Sequence, residues 1–264
     1  MTTSANQNSL LVALPGVANP VDVYTSEGFR ELTRLWVKAG WQRKLSYELT
    51  WLGVPIIQLA EDILMMQELL YKIRPAVVVE TGVAHGGSAI LDASILEMLG
   101  RGRVIGIDVE IRKYNRLAIQ AHPMSSRITL LEGSSTDEST FWHTQELIAG
   151  EEPVLVALDS NHSRDHVLRE LELYSRLVSP GSYVVVFDTV MDLVADTPNG
   201  KSDWKLTGAG AGLRAFLETH PEFQIDPYYN RLGATYCENG FLRRLAESAA
   251  RLPHVVINNS ESST

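Results

Sequence analysis

The chain has 264 residues, of which 45% are hydrophobic and 21% charged, with 19 Gly and 11 Pro. That balance excludes disorder, collagen and coiled coil, and a chain this long buries roughly 75% of its unfolded surface in one sizeable core. The formal charge is −9 without blocks of like charge, so nothing offers nucleic acid a basic face or an anionic membrane a basic amphipathic helix.

Residues 1–21 are rich in Ser, Thr and Asn and are expected to be flexible. Their apolar run, from Leu10 to Ala18, is broken by Pro15-Gly16, and no Lys or Arg precedes Arg30, so neither a signal nor a transit peptide is expected. No apolar stretch approaches the roughly 18 residues of a membrane span. The single cysteine, Cys237, has no internal disulfide partner and lies in no metal-ligand cluster. A reducing, cytoplasmic location is therefore expected.

Residues 22–72 form the next unit, a helical extension. Phe29, Leu32, Leu35 and Trp36 keep helical spacing. A second helix is expected to open at Pro55 and to carry Ile56, Ile57, Ile63, Leu64, Met66, Leu69, Leu70 and Ile73 mostly on one face, ending before Pro75. The Trp and Met residues here read as core or subunit contacts.

The pattern changes within residues 73–247. Short β-branched runs begin at Ala76-Val77-Val78-Val79 and continue at Arg103–Ile107, Ile128–Leu131, Val154–Leu158 and Tyr183–Phe187, with helical segments between them. Nearly continuous apolar strands are buried on both faces, as in a parallel sheet covered by helices. Phe223-Gln224-Ile225 and Ala234-Thr235-Tyr236-Cys237 predict a closing hairpin. The fold class is α/β: a doubly wound, Rossmann-like sheet with an antiparallel C-terminal edge. Residues 248–264 read as a flexible tail.

Ligands of such sheets bind outside the carboxyl ends of the strands. The first strand ends in Glu80-Thr81-Gly82-Val83-Ala84-His85-Gly86-Gly87-Ser88. This is neither GxGxxG nor a P-loop. Its glycines allow a tight turn, its helix start offers N–H groups, and Glu80 suits the ammonium and sulfonium of S-adenosylmethionine better than a pyrophosphate. His85 is either a cofactor contact or a filler of the loop. Asp108, ending the second strand, is placed to accept ribose hydroxyls, and Gly133-Ser134-Ser135 after Glu132 could border an adenine. Asp159 and Asp188 end the fourth and fifth strands, one βαβ unit apart. Two carboxylates meeting there make a hard-oxygen site for Mg²⁺, or else each caps its own turn. His162 is positioned as a general base, since imidazoles titrate near neutrality. His166, one turn on, reads as part of a solvated face. The long segment from Thr189 to Gly212 reads as a lid or substrate loop.

From about Trp51 to Arg244 the chain resembles the cephalosporin hydroxylase / rhamnosyl O-methyltransferase family. The resemblance rests on Trp51–Gln58, the Glu80–Ser88 loop, Leu158-Asp159-Ser160-Asn161-His162-Ser163-Arg164-Asp165-His166-Val167-Leu168, Ser179-Pro180-Gly181-Ser182-Tyr183 and Asp188-Thr189. It extends through Phe216-Leu217, His220-Pro221-Glu222-Phe223 and Asn239–Arg244. It implies a class I methyltransferase fold, S-adenosylmethionine as donor and often a divalent metal. Carried over, Glu80, Gly82, Gly86 and Ser88 would line the methionine part, Asp108 would hold the ribose, and Asp159 and Asp188 the metal, with Asp159 also beside the cofactor. Relatives carry an acidic residue where this chain has Phe187, and the stretch Gly208–Gly212 lacks an expected proline.

The expected activity is O-methylation of a hydroxyl on a small polar or glycosylated metabolite, with Mg²⁺ assisting, His162 taking the proton and a homo-oligomeric assembly. Two alternatives remain. A nicotinamide oxidoreductase would use the same sheet but lacks GxGxxG and a Tyr-x-x-x-Lys pair. A non-catalytic S-adenosylmethionine-binding partner of another enzyme is the other.

Overall fold

The computed structural model describes residues 9–13 and 19–246, so the expected tail at 248–264 lies outside the described residues. Seven strands form the central sheet: β1 Val77–Thr81, β2 Arg103–Asp108, β3 Ile128–Glu132, β4 Val154–Leu158, β5 Tyr183–Val186, β6 Phe223–Ile225 and β7 Phe241–Arg244. Their spatial order is β6-β7-β5-β4-β1-β2-β3. β1 through β5 run parallel, and β7 lies antiparallel between β5 and β6. Because β1 pairs with β2 on one side and β4 on the other, the strand order reverses there, and the crevice above their ends is where such sheets bind ligands.

Side-chain alternation divides the core in two. Val77, Val79, Val154 and Val156 face helices α5 (Glu138–Ile148), α6 (Arg164–Tyr174) and α9 (Ala209–Thr219), while Val78, Leu155 and Ala157 face α2 (Ala60–Ile73) and α3 (Gly87–Leu99). Helix α4 (Lys113–Ala121) follows β2, and two short helices, α7 (Met191–Val194) and α8 (Trp204–Thr207), structure the long segment after β5. The glycines before and within α9 are consumed by packing: a Cβ at Gly212 would stand 2.6 Å from the Arg164 carbonyl on α6.

Two sequence expectations are corrected. The strand after Phe223–Ile225 is Phe241–Arg244, not Ala234–Cys237. In the latter segment the Tyr236 N–H and the Thr235 hydroxyl donate to the buried Asp62 carboxylate, so its backbone is committed elsewhere. Nor does a helix open at Pro55. Thr50–Trp51 pairs with Val54–Pro55 through Leu52-Gly53, both at positive φ, which is a two-residue hairpin turn, and α2 starts only at Ala60.

The N-terminal helix α1 (Ser26–Gln42) is capped by Thr25, whose hydroxyl accepts from the Gly28 N–H. It buries Thr33, Val37 and Gly40 and leaves Phe29, Leu32, Leu35 and Trp36 facing outward. Within the stretch expected to be flexible, Leu11–Val12 pairs antiparallel with Val21–Asp22. Among the described residues no helix is long and apolar enough to cross a membrane.

Candidate active site

The loop between β1 and α3 is held by main-chain bonds. Gly82 N–H donates to the Ile107 carbonyl at 2.8 Å and Gly86 N–H to that of Val83 at 2.7 Å. Gly82 and Gly86 both have φ +91, where only glycine is unstrained. Space matters as much: a Cβ on Gly82 would lie 2.0 Å from the Asp159 carbonyl oxygen, and one on Gly86 2.4 Å from Ile119. These glycines let the loop pack on β4 and α4 as well as approach a ligand.

Asp108 buttresses the same loop. Its carboxylate accepts from the N–H groups of Val83 (2.9 Å) and Ala84 (3.2 Å), while Asn115 donates to the Ala84 carbonyl (2.6 Å). Glu80 is buried beneath the loop, and one of its oxygens has no hydrogen-bond partner. Burial pushes its carboxyl up to about 7, against the lowering effect of a bond from Ser88. A buried acceptor left unpaired in this way suits a cation above it.

The residues of the expected adenine border have partners within the chain. A Cβ at Gly133 would be 2.6 Å from the Thr140 hydroxyl, and Ser134 bonds Thr136. Ser135 meets His166 Nε2 at 3.2 Å. His166 is no solvated residue: it also contacts Ser160 (3.0 Å), whose hydroxyl donates to the fully buried Glu170 (2.7 Å). This knot ties the β3 loop to the β4 loop. Glu170 escaped the sequence reading, for which an i, i+4 pairing with His166 was the available signal.

At the ends of β4 and β5, ligand atoms of Asp159, His162 and Asp188 all lie within 4.8 Å of one another. His162 Nε2 is 3.1 Å from an Asp188 oxygen. Asp188 has φ +55, a left-handed conformation that turns its side chain back over the sheet end. Burial raises the Asp159 carboxyl well above the ordinary range, with the negative charges of Asp188 and Glu80 adding to it and a bond from Gln58 opposing it. Asp188 is likewise raised by burial, offset by His162. Two carboxyls raised together, with an imidazole alongside, are a donor set short of positive charge, which a divalent cation would supply. Neither aspartate therefore reads as a mere turn cap. Gln58, buried with its amide oxygen unpartnered, was missed; its place in the Trp51–Gln58 motif was the signal.

Three adjoining cavities run across these residues. One of about 350 Å³ is lined by Ala84, His85, Asp108 and Asn115. The next, about 180 Å³, shares Ala84 and His85 and reaches Gly82, Ser88, Gln58, Asp159, His162 and Asp188. The third, about 360 Å³, shares Tyr47, Ile57 and Asp188 and is walled by Trp41, Lys44, Ser46, Asn199 and Tyr236. The carboxylate pair thus stands between a trough over the glycine loop and an aromatic chamber. His85 lines the trough, as a cofactor contact would.

This strand order, with the trough at the β1/β4 switch point, is that of a class I methyltransferase. The comparisons agree. Residues 43–245 match the family model described as "Rhamnosyl O-methyltransferase/CmcI". The rhamnosyl O-methyltransferase of Mycobacterium tuberculosis (strain ATCC 25618 / H37Rv) is 31% identical over 204 residues, covering 74% of this chain and 78% of the relative. That of Mycobacterium leprae (strain TN) is 29% identical over 202 residues, covering 74% and 82%. A solved structure titled "cmcI-D160 Mg-SAM" has a TM-score of 0.56 at 20% identity, covering 76% of this chain and 78% of its own. The chain belongs to the rhamnosyl O-methyltransferase/CmcI family, and is an S-adenosylmethionine-dependent O-methyltransferase. The nicotinamide alternative is not favoured.

Proposed function

We propose that this methyltransferase, with Mg²⁺ at Asp159 and Asp188, methylates a hydroxyl of a small polar or glycosylated acceptor. The observation that carries the reading is Asp188 as a shared wall between the trough over Gly82 and the aromatic chamber. Donor and acceptor then meet at the carboxylates.

The glycine loop would hold S-adenosylmethionine, with Asp108 taking its ribose and Glu80 and Asp159 its cationic end. The relative with the solved structure named above carries Mg and SAM by its title, which supports both ligands here. When bound, the divalent cation supplies positive charge that lowers the acceptor hydroxyl's pKa. Gln58 holds Asp159, and Asp188 orients His162 through its Nε2. His162 would accept the hydroxyl proton, and S-adenosylmethionine, when bound, would supply the methyl group and leave as S-adenosylhomocysteine. With Phe187 in place of an acidic residue, His162 is the third donor within reach of the carboxylates, so it is either ligand or base at any moment. Imidazole is a poor ligand for Mg²⁺, which favours the base.

Residues 22–72 serve as a cap that completes the acceptor side, and 73–247 as the methyltransferase domain. The exposed α1 stripe of Phe29, Leu32 and Trp36 supports a homo-oligomer, and the absence of basic patches argues against nucleic-acid or membrane partners. The single cysteine, Cys237, is unpaired and buried, which fits a cytoplasmic location.

Asp188→Ala is the test. S-adenosylhomocysteine at ~100 times its Kd adds about 2.7 kcal/mol, or some ~5–10 °C of melting temperature. The variant is expected to keep that shift and to lose metal-dependent turnover across a panel of hydroxylated acceptors. Turnover equal to wild type would overturn the mechanism. Wild-type cofactor binding without turnover on any acceptor would favour the non-catalytic alternative.

A further inference from the structure

We propose that the aromatic chamber selects acceptors that carry an anionic group on a flat scaffold, with Lys44 as the anion's partner; this rests on the methyltransferase reading of the adjoining carboxylates.

Lys44 closes α1 in the left-handed region, at φ 55, a position that glycine or asparagine would fill more cheaply. Lys44 is exposed and stands among the residues that line the chamber. Among the described residues it forms no ion pair, whereas Lys38, on the same helix, is held by Asp196 at 2.6 Å. It is also the one lysine or arginine lining the two cavities that share Asp188. In a chain of charge −9, around a site already holding Glu80, Asp159 and Asp188, a lone unpaired cation marks where negative charge is welcome.

The rest of the chamber defines the scaffold. Trp41 stands edge-on to Trp204 (5.8 Å) and to Tyr236 (5.4 Å), and Tyr47 lines the mouth. Such walls take flat, weakly polar faces. The Tyr236 phenol oxygen is buried beside Ser46 and belongs to a ring lining the cavity. At about 360 Å³ the chamber fits one small ring system. The acceptor hydroxyl then sits at Asp188, the ring against the wall that Trp41 and Tyr236 form together, and the carboxylate, phosphate or sulfate at Lys44.

Protocatechuate, its primary amide and the corresponding benzylamine share one ring and one pair of hydroxyls and differ only in charge. Calorimetric titration of each into the full-length protein with Mg²⁺ and S-adenosylhomocysteine reads the preference. Wild type is expected to bind the carboxylate about tenfold tighter than the amide. Lys44→Met should erase that difference, and Lys44→Glu should turn the order toward the amine. An unchanged preference in Lys44→Met overturns the proposal, as does a wild type that favours the amide or binds none of the three. The melting shift of the same wild-type sample with S-adenosylhomocysteine alone reads the methyltransferase assignment separately. Its presence with no charge preference defeats this inference only; its absence defeats the assignment itself.

Discussion

The cofactor side and the acceptor side of the site are built from different material. Around the glycine loop, main-chain atoms do the holding: Gly82 to Ile107, Asp159 to Thr81, and the Val83 and Ala84 amides on Asp108. Around the chamber, side chains join segments distant in sequence. Lys38 pairs with Asp196, Gln42 bonds Asn199, and Trp41 packs on Trp204, the first two contacts spanning 158 and 157 residues. A frame fixed by backbone geometry admits few substitutions and suits a ligand that never changes. A frame of side-chain contacts between an added helix and a long loop can be altered piecemeal, as a variable acceptor demands.

Substitutions that fall on one side only should separate the two. The largest effect is expected from Gly82→Ala, whose methyl meets the Asp159 carbonyl at φ +91. Strain and overpacking together predict a loss of about 3 kcal/mol and of the S-adenosylhomocysteine melting shift. A variant of native stability that binds cofactor normally would break the distinction. Trp41→Ala, on the acceptor side, should cost about 2 kcal/mol as a half-buried aromatic is lost. It should raise the acceptor KM while the cofactor shift persists; a vanished cofactor shift would show that the halves are not independent.

The smallest effect concerns Asp62, which binds the 235–236 segment behind the chamber. Burial raises its carboxyl from 3.8 to about 7 despite bonds from Thr235 and Tyr236. The folded chain therefore holds a proton that the unfolded chain has already released, so stability falls as pH rises from about 4 to about 7. Asp62→Asn removes that titration. Thermal melts at pH 5 and pH 8 should differ less in the variant than in wild type. An equal difference would place the charge elsewhere, at Glu80 or Asp159.

The same contrast explains what could be read from the sequence. β1 to β5 were legible because central parallel strands are apolar on both faces, and four of the five end at or close to a carboxylate of the candidate site: Glu80, Asp108, Asp159 and Asp188. Ala234–Cys237 misled because it is as apolar as a strand, yet its amides are claimed by Asp62, a partner 174 residues away. Phe241–Arg244 was hidden by its two arginines, although Phe241 and Leu242 are fully buried. The acceptor walls could not be assembled in advance. Trp41, Tyr47, Asn199 and Tyr236 share no spacing, and only tertiary packing brings them together.

The contact between Gly82 and Asp159 joins one backbone to another. No side chain lies between the loop that cradles the donor and the turn that presents the carboxylates. The distance a methyl group must travel is thereby written in main-chain atoms, which substitutions away from this contact inherit unchanged. Descendants of this chain can exchange α1, the 189–208 segment or the charge at position 44, and so acquire new acceptors, without resetting the gauge on which the reaction depends.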